Sequence, residues 1–245
     1  MRTILWFIYF WIYTLGTAFS IPRVKYFIKK DEIQKKRDFT QNLAHNWAKK
    51  LVLLTGSNVE VLGLENIPDG PVLFVSNHQG NFDIPILLSS LPKSISFVAK
   101  IELKKLPIIN RWMEFLECVF IDRKDLRQSL RAITKAIEVL KSGQSMVIFP
   151  EGTRSKGSQL QPFKPGSLKM ATKANVPIIP VTIKGSYKIM EANNNKITPA
   201  KVQVIISEPI YVDNIEKSTD LTVLTYKIIK NNLDFDYEKI QLATS

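Results

Sequence analysis

The chain has few of the residues that build metal sites and disulfides. It contains one cysteine, Cys118, and two histidines among 245 residues. A single cysteine excludes an internal disulfide, and no group of cysteines and histidines has the spacing of a zinc site. We therefore expect no bound metal and no other cofactor. Cys118 lies within an apolar run, which favours packing over nucleophilic chemistry.

Acidic residues are also scarce compared with basic ones. Aspartate and glutamate number 22 against 34 lysines and arginines, so the formal net charge is +12. This excess favours an anionic partner, such as a phospholipid surface, a nucleic acid or a phosphorylated substrate. The basic residues are scattered and no nucleic-acid motif appears, so we do not expect nucleic acid as a partner. A basic, non-catalytic protein of the membrane surface stays an alternative.

Charged residues are absent between Thr3 and Pro22, a run that is rich in Ile, Phe, Trp and Tyr. As a helix this run would be about 30 Å long, close to the hydrocarbon thickness of a bilayer. It lacks a clear small-x-small cleavage site, which argues against a removed signal peptide. A spanning helix and a re-entrant or interfacial anchor both remain compatible with it.

Seven basic residues follow the apolar run. They are Arg23, Lys25, Lys29, Lys30, Lys35, Lys36 and Arg37. Such a cluster predicts that the C-terminal side of the anchor faces an anionic cytoplasmic leaflet, with a solvated helix face as the alternative.

The organisation of the whole chain follows from apolar spacing. Residues 31–56 carry apolar side chains three and four apart, which predicts a second helix ending near Gly56. Residues 1–57 are thus predicted to form a membrane-anchoring helical pair. No repeat or long linker follows residue 57, so residues 58–245 are predicted to form one domain.

The domain alternates short apolar runs with helical periodicity. The runs lie at 72–75, 95–98, 119–121, 146–149, 178–183 and 202–206. This alternation predicts an α/β fold with a largely parallel central sheet flanked by helices. One helix is marked by an apolar stripe that ends before Gly143, formed by Leu126, Leu130, Ile133, Ile137 and Leu140. A final helix is predicted over 219–232, opening at Thr219.

The first polar motif, NHQGNFD at 77–83, follows the apolar run PVLFVS. His78 is thereby placed at the carboxyl end of a strand, where α/β sheets bind ligands. His78 and Asp83 would lie about 140° apart on an ideal helix, so a turn at Gly80 and Asn81 is needed to bring them together. A carboxylate-held histidine is a general base. The alternative is that Asp83 caps a helix at Ile84 and His78 is a polar loop residue.

Two further polar segments follow apolar runs. MVIFPEGTRSKGS supplies Glu151, Gly152, Thr153 and Arg154, which are the parts of a phosphate-recognition loop, although a plain turn is the alternative. VFIDRKD places Arg123 at another strand end, where a surface ion pair is the alternative.

Together these segments resemble the glycerolipid acyltransferase family, which includes bacterial 1-acylglycerol-3-phosphate acyltransferases. The resemblance covers roughly residues 64–206 and rests on four blocks. They are NHQGNFD at 77–83, the stretch from Lys100 to FIDR at 120–123, FPEGTRS at 149–155, and VPIIPVTI at 176–183. One departure is Cys118, where many relatives have glycine.

The resemblance implies that residues 58–245 form an acyltransferase domain in which His78 is the general base and Asp83 orients it. It also implies a set of residues that bind the phosphorylated acceptor. This set comprises Arg123, Glu151, Gly152, Thr153 and Arg154, with Lys100 and Lys164 nearby.

The implied reaction moves an acyl group from a thioester to lysophosphatidate on a membrane lipid surface. The donor is acyl-CoA or an acyl carrier protein, and the two stay open. Glycerol-3-phosphate or another lysophospholipid is the alternative acceptor. The location that follows is the cytoplasmic face of the inner membrane. The other histidine, His45, is predicted to be structural.

Overall fold

The computed structural model describes residues 1–214 and 218–235. Its strands are β1 (Asn58–Leu62), β2 (Leu73–Ser76), β3 (Ile95–Lys100), β4 (Val119–Ile121), β5 (Ser145–Ile148), β6 (Ile178–Lys184) and β7 (Lys201–Ile206). Its helices are α1 (Arg2–Thr17), α2 (Ile21–Lys29), α3 (Ile33–Thr55), α4 (Asp83–Ser90), α5 (Ile109–Phe115), α6 (Leu126–Lys141), α7 (Lys169–Ala174) and α8 (Ser218–Asp234).

The strands form one sheet with the order β1-β7-β6-β2-β5-β3-β4. All neighbours run parallel except β6 and β7, which are antiparallel. The prediction of a largely parallel sheet flanked by helices is therefore confirmed. The six apolar runs all became strands. The sequence pattern missed β1, an edge strand that carries Asn58 and Glu60 among its apolar residues and is only half-buried.

The central strands bring distant segments of the chain together. Leu73 of β2 pairs with Met146 of β5 on one side and with Ile178 of β6 on the other. Because these strands are parallel, their carboxyl ends meet at the same edge of the sheet. The segments that follow β2 and β5, which begin at residues 77 and 149, are therefore neighbours.

Alternating side chains of the strands build two hydrophobic cores, one on each face of the sheet. Phe74 and Val147 belong to the core that also contains residues of α1, α3 and α4. Leu73 and Met146 point to the other face and pack with residues of α6, α7 and α8. The N-terminal helices thus cover one face only.

The predicted N-terminal helical pair is present. From Arg2 to Lys29 the chain is a continuous helical run, long and apolar enough to cross a membrane. Trp6 fixes this run to the domain: its Nε1 donates to Leu51 O at 2.9 Å, and its ring lies 5.2 Å from that of Phe82. Other apolar side chains of the run are exposed, among them Ile4, Leu5, Ile8, Trp11, Ile12, Leu15 and Phe19.

Lys36 and Arg37 differ from the prediction that they face a lipid surface. Both are buried, and both bind Glu117, which precedes β4. Lys36 Nζ lies 2.6 Å from Glu117 Oε1, and Arg37 Nη2 lies 2.8 Å from Oε2. Arg37 also donates to the main-chain oxygen of Ser142 at 2.8 Å. These two cations join α3 to the α/β domain because a buried charge needs an opposite charge beside it.

The apolar stripe predicted for α6 is only partly buried. The helix forms where predicted, but Leu126 and Leu130 are exposed by 75% and 57%. Leu140 of the predicted stripe is fully buried and Ile133 and Ile137 are partly buried, and the rest of the buried face consists of Ala132, Ala136 and Val139. Small residues at 132 and 136 let the helix approach the sheet closely, so the larger leucines of its first turns are left outside.

We predict that Glu117→Gln destabilises the fold by about 2–4 kcal/mol, because Lys36 and Arg37 would stay buried without an anionic partner. Burial alone would raise the pKa of Glu117, but hydrogen bonds from Arg37 and Lys36 outweigh it and lower the pKa below 4.5. The stabilisation is therefore complete above pH 4.5 and is lost as pH falls through the lower folded-state value. Thermal unfolding in detergent at several pH values measures both effects.

The matched control is Lys35→Met, which removes only the exposed ion pair between Lys35 and Glu32. We expect no measurable change in its melting temperature. An equally stable Glu117→Gln protein would show that the two buried cations need no partner.

Candidate active site

His78 lies in the turn between β2 and α4 and borders a large cavity. Its Nδ1 is 2.6 Å from Asp83 Oδ2. Its ring stacks on that of Phe149, with centroids 4.0 Å apart and planes 18° apart. Because the carboxylate accepts the Nδ1 proton, Nε2 of the neutral ring is left as a proton acceptor.

Asp83 is fully buried at the first residue of α4. Its Oδ2 also accepts the N–H groups of Gln79 at 2.7 Å and Gly80 at 2.9 Å, and Ser186 Oγ donates to its Oδ1. Among the described residues, the side chain of Asp83 forms its hydrogen bonds with groups outside α4. The turn at Gly80 therefore folds the carboxylate back onto the imidazole as predicted, and the capping alternative is not what the structure has.

Glu151 follows β5 and holds the main chain of His78. Its Oε1 accepts the His78 N–H at 2.6 Å, and its Oε2 accepts the Gln161 N–H at 2.9 Å. Burial raises the pKa of Glu151 to about 7, although the two N–H groups oppose this shift. Both oxygens are committed to main-chain donors, and Glu151 is not part of the cavity wall. These contacts do not support the prediction that it binds an acceptor.

Main-chain hydrogen bonds tie the two loops together. The N–H of Ser155 donates to His78 O at 2.8 Å, and the N–H of Lys156 donates to Gln79 O at 3.1 Å. The loop after β5 and the turn after β2 are therefore joined through their main chains.

Two cations close over Gly152, which has a φ of +77°. A β-carbon at this position would lie 2.8 Å from Arg123 Nη1 and 3.1 Å from Lys164 Nζ. The positive φ favours glycine at this position, and a β-carbon would also require the ends of the Arg123 and Lys164 side chains to shift. Burial lowers the pKa of Arg123, and Glu102 opposes that shift.

Arg154 reaches across to the turn that carries His78. Its Nη1 donates to Asn81 Oδ1 and lies 3.7 Å from Glu191 Oε1. Its side chain is 37% exposed and lines the cavity, so part of it is accessible to a ligand.

The cavity has a volume of about 600 Å³ and two chemically distinct parts. The polar part contains His78 and the basic residues Lys100, Arg123, Arg154 and Lys156. The apolar part is built by α3, α4, β3 and α5, and α1 adds Thr14 and Thr17 to its wall. Its apolar side chains include Leu43, Trp47, Ile84, Leu88, Phe97, Trp112, Met113 and Leu116. The arrangement can hold a molecule with an anionic head and an apolar chain.

Cys118 also faces this cavity. Burial away from water raises the pKa of its thiol to about 12, so the thiol is neutral at physiological pH. A neutral thiol is a poor nucleophile. This agrees with the prediction that Cys118 serves packing.

The sequence of the chain matches the profile of one protein family, described as Acyltransferase, over residues 58–184. The chain belongs to the acyltransferase family. The match includes β1 to β6 and therefore His78, Asp83, Arg123 and the loop with Arg154.

Individual acyltransferases are also similar to the chain. A chloroplastic 1-acyl-sn-glycerol-3-phosphate acyltransferase of Brassica napus is 38% identical over 72% of this chain and 52% of its own length. A probable enzyme of the same name from Mycoplasma pneumoniae is 37% identical over 64% of this chain and 63% of its own length. The matched region thus spans about half to two thirds of these relatives.

A solved structure provides a longer match. The crystal structure of the 1-acyl-sn-glycerophosphate acyltransferase PlsC from Thermotoga maritima superimposes with a TM-score of 0.83 at 33% identity. The match covers 96% of this chain and 97% of that one, so it includes the N-terminal helices.

The fold brings most of the predicted acyltransferase site residues together. His78, Lys100, Arg123, Gly152, Thr153 and Arg154 line the cavity. Asp83 supports His78 from below, and Lys164 lies over Gly152. Sequence reasoning missed Asn81, Lys156, Ser186 and Glu191. Asn81 lies inside the NHQGNFD motif, where it was assigned only to the turn, and Lys156 follows FPEGTRS directly, whereas Ser186 and Glu191 are more than 100 positions from the turn they contact.

His45 has a partner that the sequence did not identify. Its Nδ1 lies 3.2 Å from the main-chain oxygen of Leu88, so it links α3 to α4. This contact agrees with a structural role.

We predict that Glu151→Gln lowers the turnover of acyl transfer about 10- to 100-fold, because an amide offers one acceptor oxygen to two N–H donors and misplaces His78. The raised pKa of Glu151 also makes wild-type stability fall as pH rises from 4.5 to about 7. The variant should lack this slope. Steady-state kinetics and thermal unfolding against pH measure the two effects.

The control Glu138→Gln changes an exposed glutamate of α6 that pairs with Lys135. It should leave both turnover and the pH slope unchanged. Wild-type turnover in Glu151→Gln would show that the contact with His78 N–H does not position the ring.

Proposed function

We propose that the chain transfers a fatty acyl group from a thioester donor to the sn-2 hydroxyl of 1-acyl-glycerol-3-phosphate, which yields phosphatidate. The observation that carries this proposal is the His78–Asp83 pair, 2.6 Å apart, at the polar end of a cavity with an apolar extension. The names of the similar proteins support the same acceptor.

His78 acts as the general base in this proposal. A glycerol hydroxyl is a weak nucleophile at neutral pH, so His78 Nε2 takes its proton while the oxygen attacks the thioester carbonyl. The buried Asp83 carboxylate stabilises the imidazolium that forms. The C–S bond then breaks, and the thiolate leaves readily because thiols have a pKa of about 8.5. The proton on His78 passes to the departing sulfur, which restores the neutral ring.

The acyl group moves directly between the two substrates. The sequence has no Gly-x-Ser-x-Gly elbow, and the Cys118 thiol is neutral, since its pKa is about 12. A covalent acyl-enzyme therefore lacks a suitable nucleophile among the cavity residues.

The basic residues receive the acceptor's phosphate. Guanidinium groups bind phosphate oxygens in pairs, and Arg123 and Arg154 approach the polar end from separate loops. Lys164 adds a charge over Gly152. Phosphate held there would orient the glycerol hydroxyl toward His78, which lowers the entropic part of the barrier.

The apolar part of the cavity accommodates an acyl chain. Its wall includes residues of α1 and α3, so the anchoring helices take part in substrate binding. Exposed apolar residues of α1 enter the lipid, and Arg23, Lys25, Lys29 and Lys30 meet anionic head groups. The proposal includes a catalytic domain on the cytoplasmic face of the inner membrane, which basic residues next to an apolar anchor favour.

The direct test is to incubate the purified, detergent-solubilised protein with lysophosphatidate and a labelled acyl thioester. Phosphatidate and free thiol should form in equal amounts. Acyl-CoA and acyl carrier protein are compared as donors, and glycerol-3-phosphate and other lysophospholipids as acceptors. If product forms only with a different acceptor, that acceptor replaces lysophosphatidate in the proposal. If no acceptor yields product, the proposal is rejected.

We predict that His78→Ala lowers turnover at least about 10³-fold, because the general base is lost and His78 is the only histidine among the described residues that line the cavity. The circular dichroism spectrum and the recovery in membranes should stay unchanged, since the ring is at the cavity edge. His45→Gln is the matched control, because it changes the only other histidine and should keep most of the activity. Wild-type turnover in His78→Ala would reject the base assignment.

We predict that Arg154→Ala raises the KM for lysophosphatidate about 10- to 100-fold, which corresponds to loss of a charge-assisted hydrogen bond. The KM for the acyl donor should not change. Arg127→Ala, on the exposed face of α6, should leave both values unchanged. An effect on the donor alone would show that Arg154 does not bind the acceptor's phosphate.

A further inference from the structure

Glu191 is a buried carboxylate in the segment between β6 and β7. Its side chain is only 4% exposed, in a short 3-10 turn from Glu191 to Asn193. It lies outside the four sequence blocks and outside the cavity wall. Burying a carboxylate is costly unless donors or cations compensate it, so its partners indicate why it is there.

The partners of Glu191 all belong to the active-site loops. Its Oε1 accepts the N–H of Asn81 at 2.7 Å and lies 3.7 Å from Arg154 Nη1. Its Oε2 is buried and has no hydrogen-bond partner within the described residues. A β-carbon on Gly80 would lie 2.5 Å from this oxygen, so the glycine makes room for the carboxylate.

These contacts complete the hydrogen bonding of the turn beside His78. Asp83 accepts the N–H groups of Gln79 and Gly80, and Glu191 accepts the next one, that of Asn81. Two carboxylates therefore fix three successive amides of the turn.

The same contacts orient Arg154. Its interactions with Glu191 and with Asn81 Oδ1 both use Nη1. A guanidinium has five N–H donors, so Nε and Nη2 are left for a ligand in the cavity. A guanidinium held by one nitrogen presents its other N–H donors in a fixed direction. Ligand binding then costs less side-chain entropy, because Arg154 is already ordered.

We propose that Glu191 is a positioning residue that fixes Arg154 relative to His78, so that an acceptor phosphate bound by Arg154 is held at the correct distance from the base. The inference rests on the proposed function. Glu191 would then affect acceptor binding through Arg154, without touching the acceptor itself.

Glu191→Gln tests this inference, because it keeps an oxygen for the Asn81 N–H but removes the charge that attracts Arg154. We expect the KM for lysophosphatidate to rise about three- to ten-fold, with turnover within about two-fold of wild type. The KM for the acyl donor should not change, and the melting temperature should not fall. Glu65→Gln, at an exposed glutamate remote from the cavity, is the matched control.

A double-mutant cycle with Arg154→Gln separates positioning from a general structural role. If Glu191 acts through Arg154, adding Glu191→Gln to Arg154→Gln should change the KM by less than about two-fold. Additive effects, an unchanged KM in the single variant, or joint losses of turnover and melting temperature would each overturn the inference.

Calorimetric binding of lysophosphatidate without a donor distinguishes failure of this inference from failure of the proposed function. The dissociation constant should follow the same pattern as KM in the wild type, the two single variants at Glu191 and Arg154, and the double variant. A wild-type chain that binds lysophosphatidate but transfers no acyl group would reject the proposed function, while the binding cycle would still decide the role of Glu191. A wild-type chain that does not bind it would overturn both.

Discussion

The buried carboxylate of Asp83 is the group on which the site depends. An isolated carboxylate in the interior is strongly unfavourable, and here four donors offset that cost: two turn amides, the His78 imidazole and the Ser186 hydroxyl. The same hydrogen bonds set the shape of the turn and the tautomer of the ring. Packing of Phe149 against the ring then leaves His78 little freedom. Stability and chemistry thus share one set of contacts.

Parallel strand order explains why carboxylates and cations from distant segments meet. β2 lies between β5 and β6, so the loops that follow β2 and β5 leave the sheet side by side. Glu151 uses this proximity to hold His78 from one side, and Glu191 reaches the turn from the segment beyond β6. Acidic residues therefore support the loops from beneath, while Arg123 and Arg154 border the cavity. Glu102 is the one acidic residue among the described residues that line the cavity.

The N-terminal helices include the candidate membrane segment and also border the candidate active site. α1 and α3 share a core with the sheet, and both border the cavity, α3 with apolar side chains and α1 with Thr14 and Thr17. The ion pairs of Lys36 and Arg37 with Glu117 fix α3 to the segment before β4. The opposite face of the sheet is covered by α6, α7 and α8.

The sequence alone determined the α/β class, six of the seven strands, the helical pair and the residues of the His78 and Arg154 motifs, because periodicity and motif spacing are local properties. It could not show that Lys36 and Arg37 are buried, because a basic residue near an apolar run is compatible both with a lipid head group and with a buried partner such as Glu117. Nor could it find Ser186 or Glu191, whose partners are remote in the chain. Only the tertiary structure decided these points, because strand order fixes which loops meet and burial fixes which charges need partners.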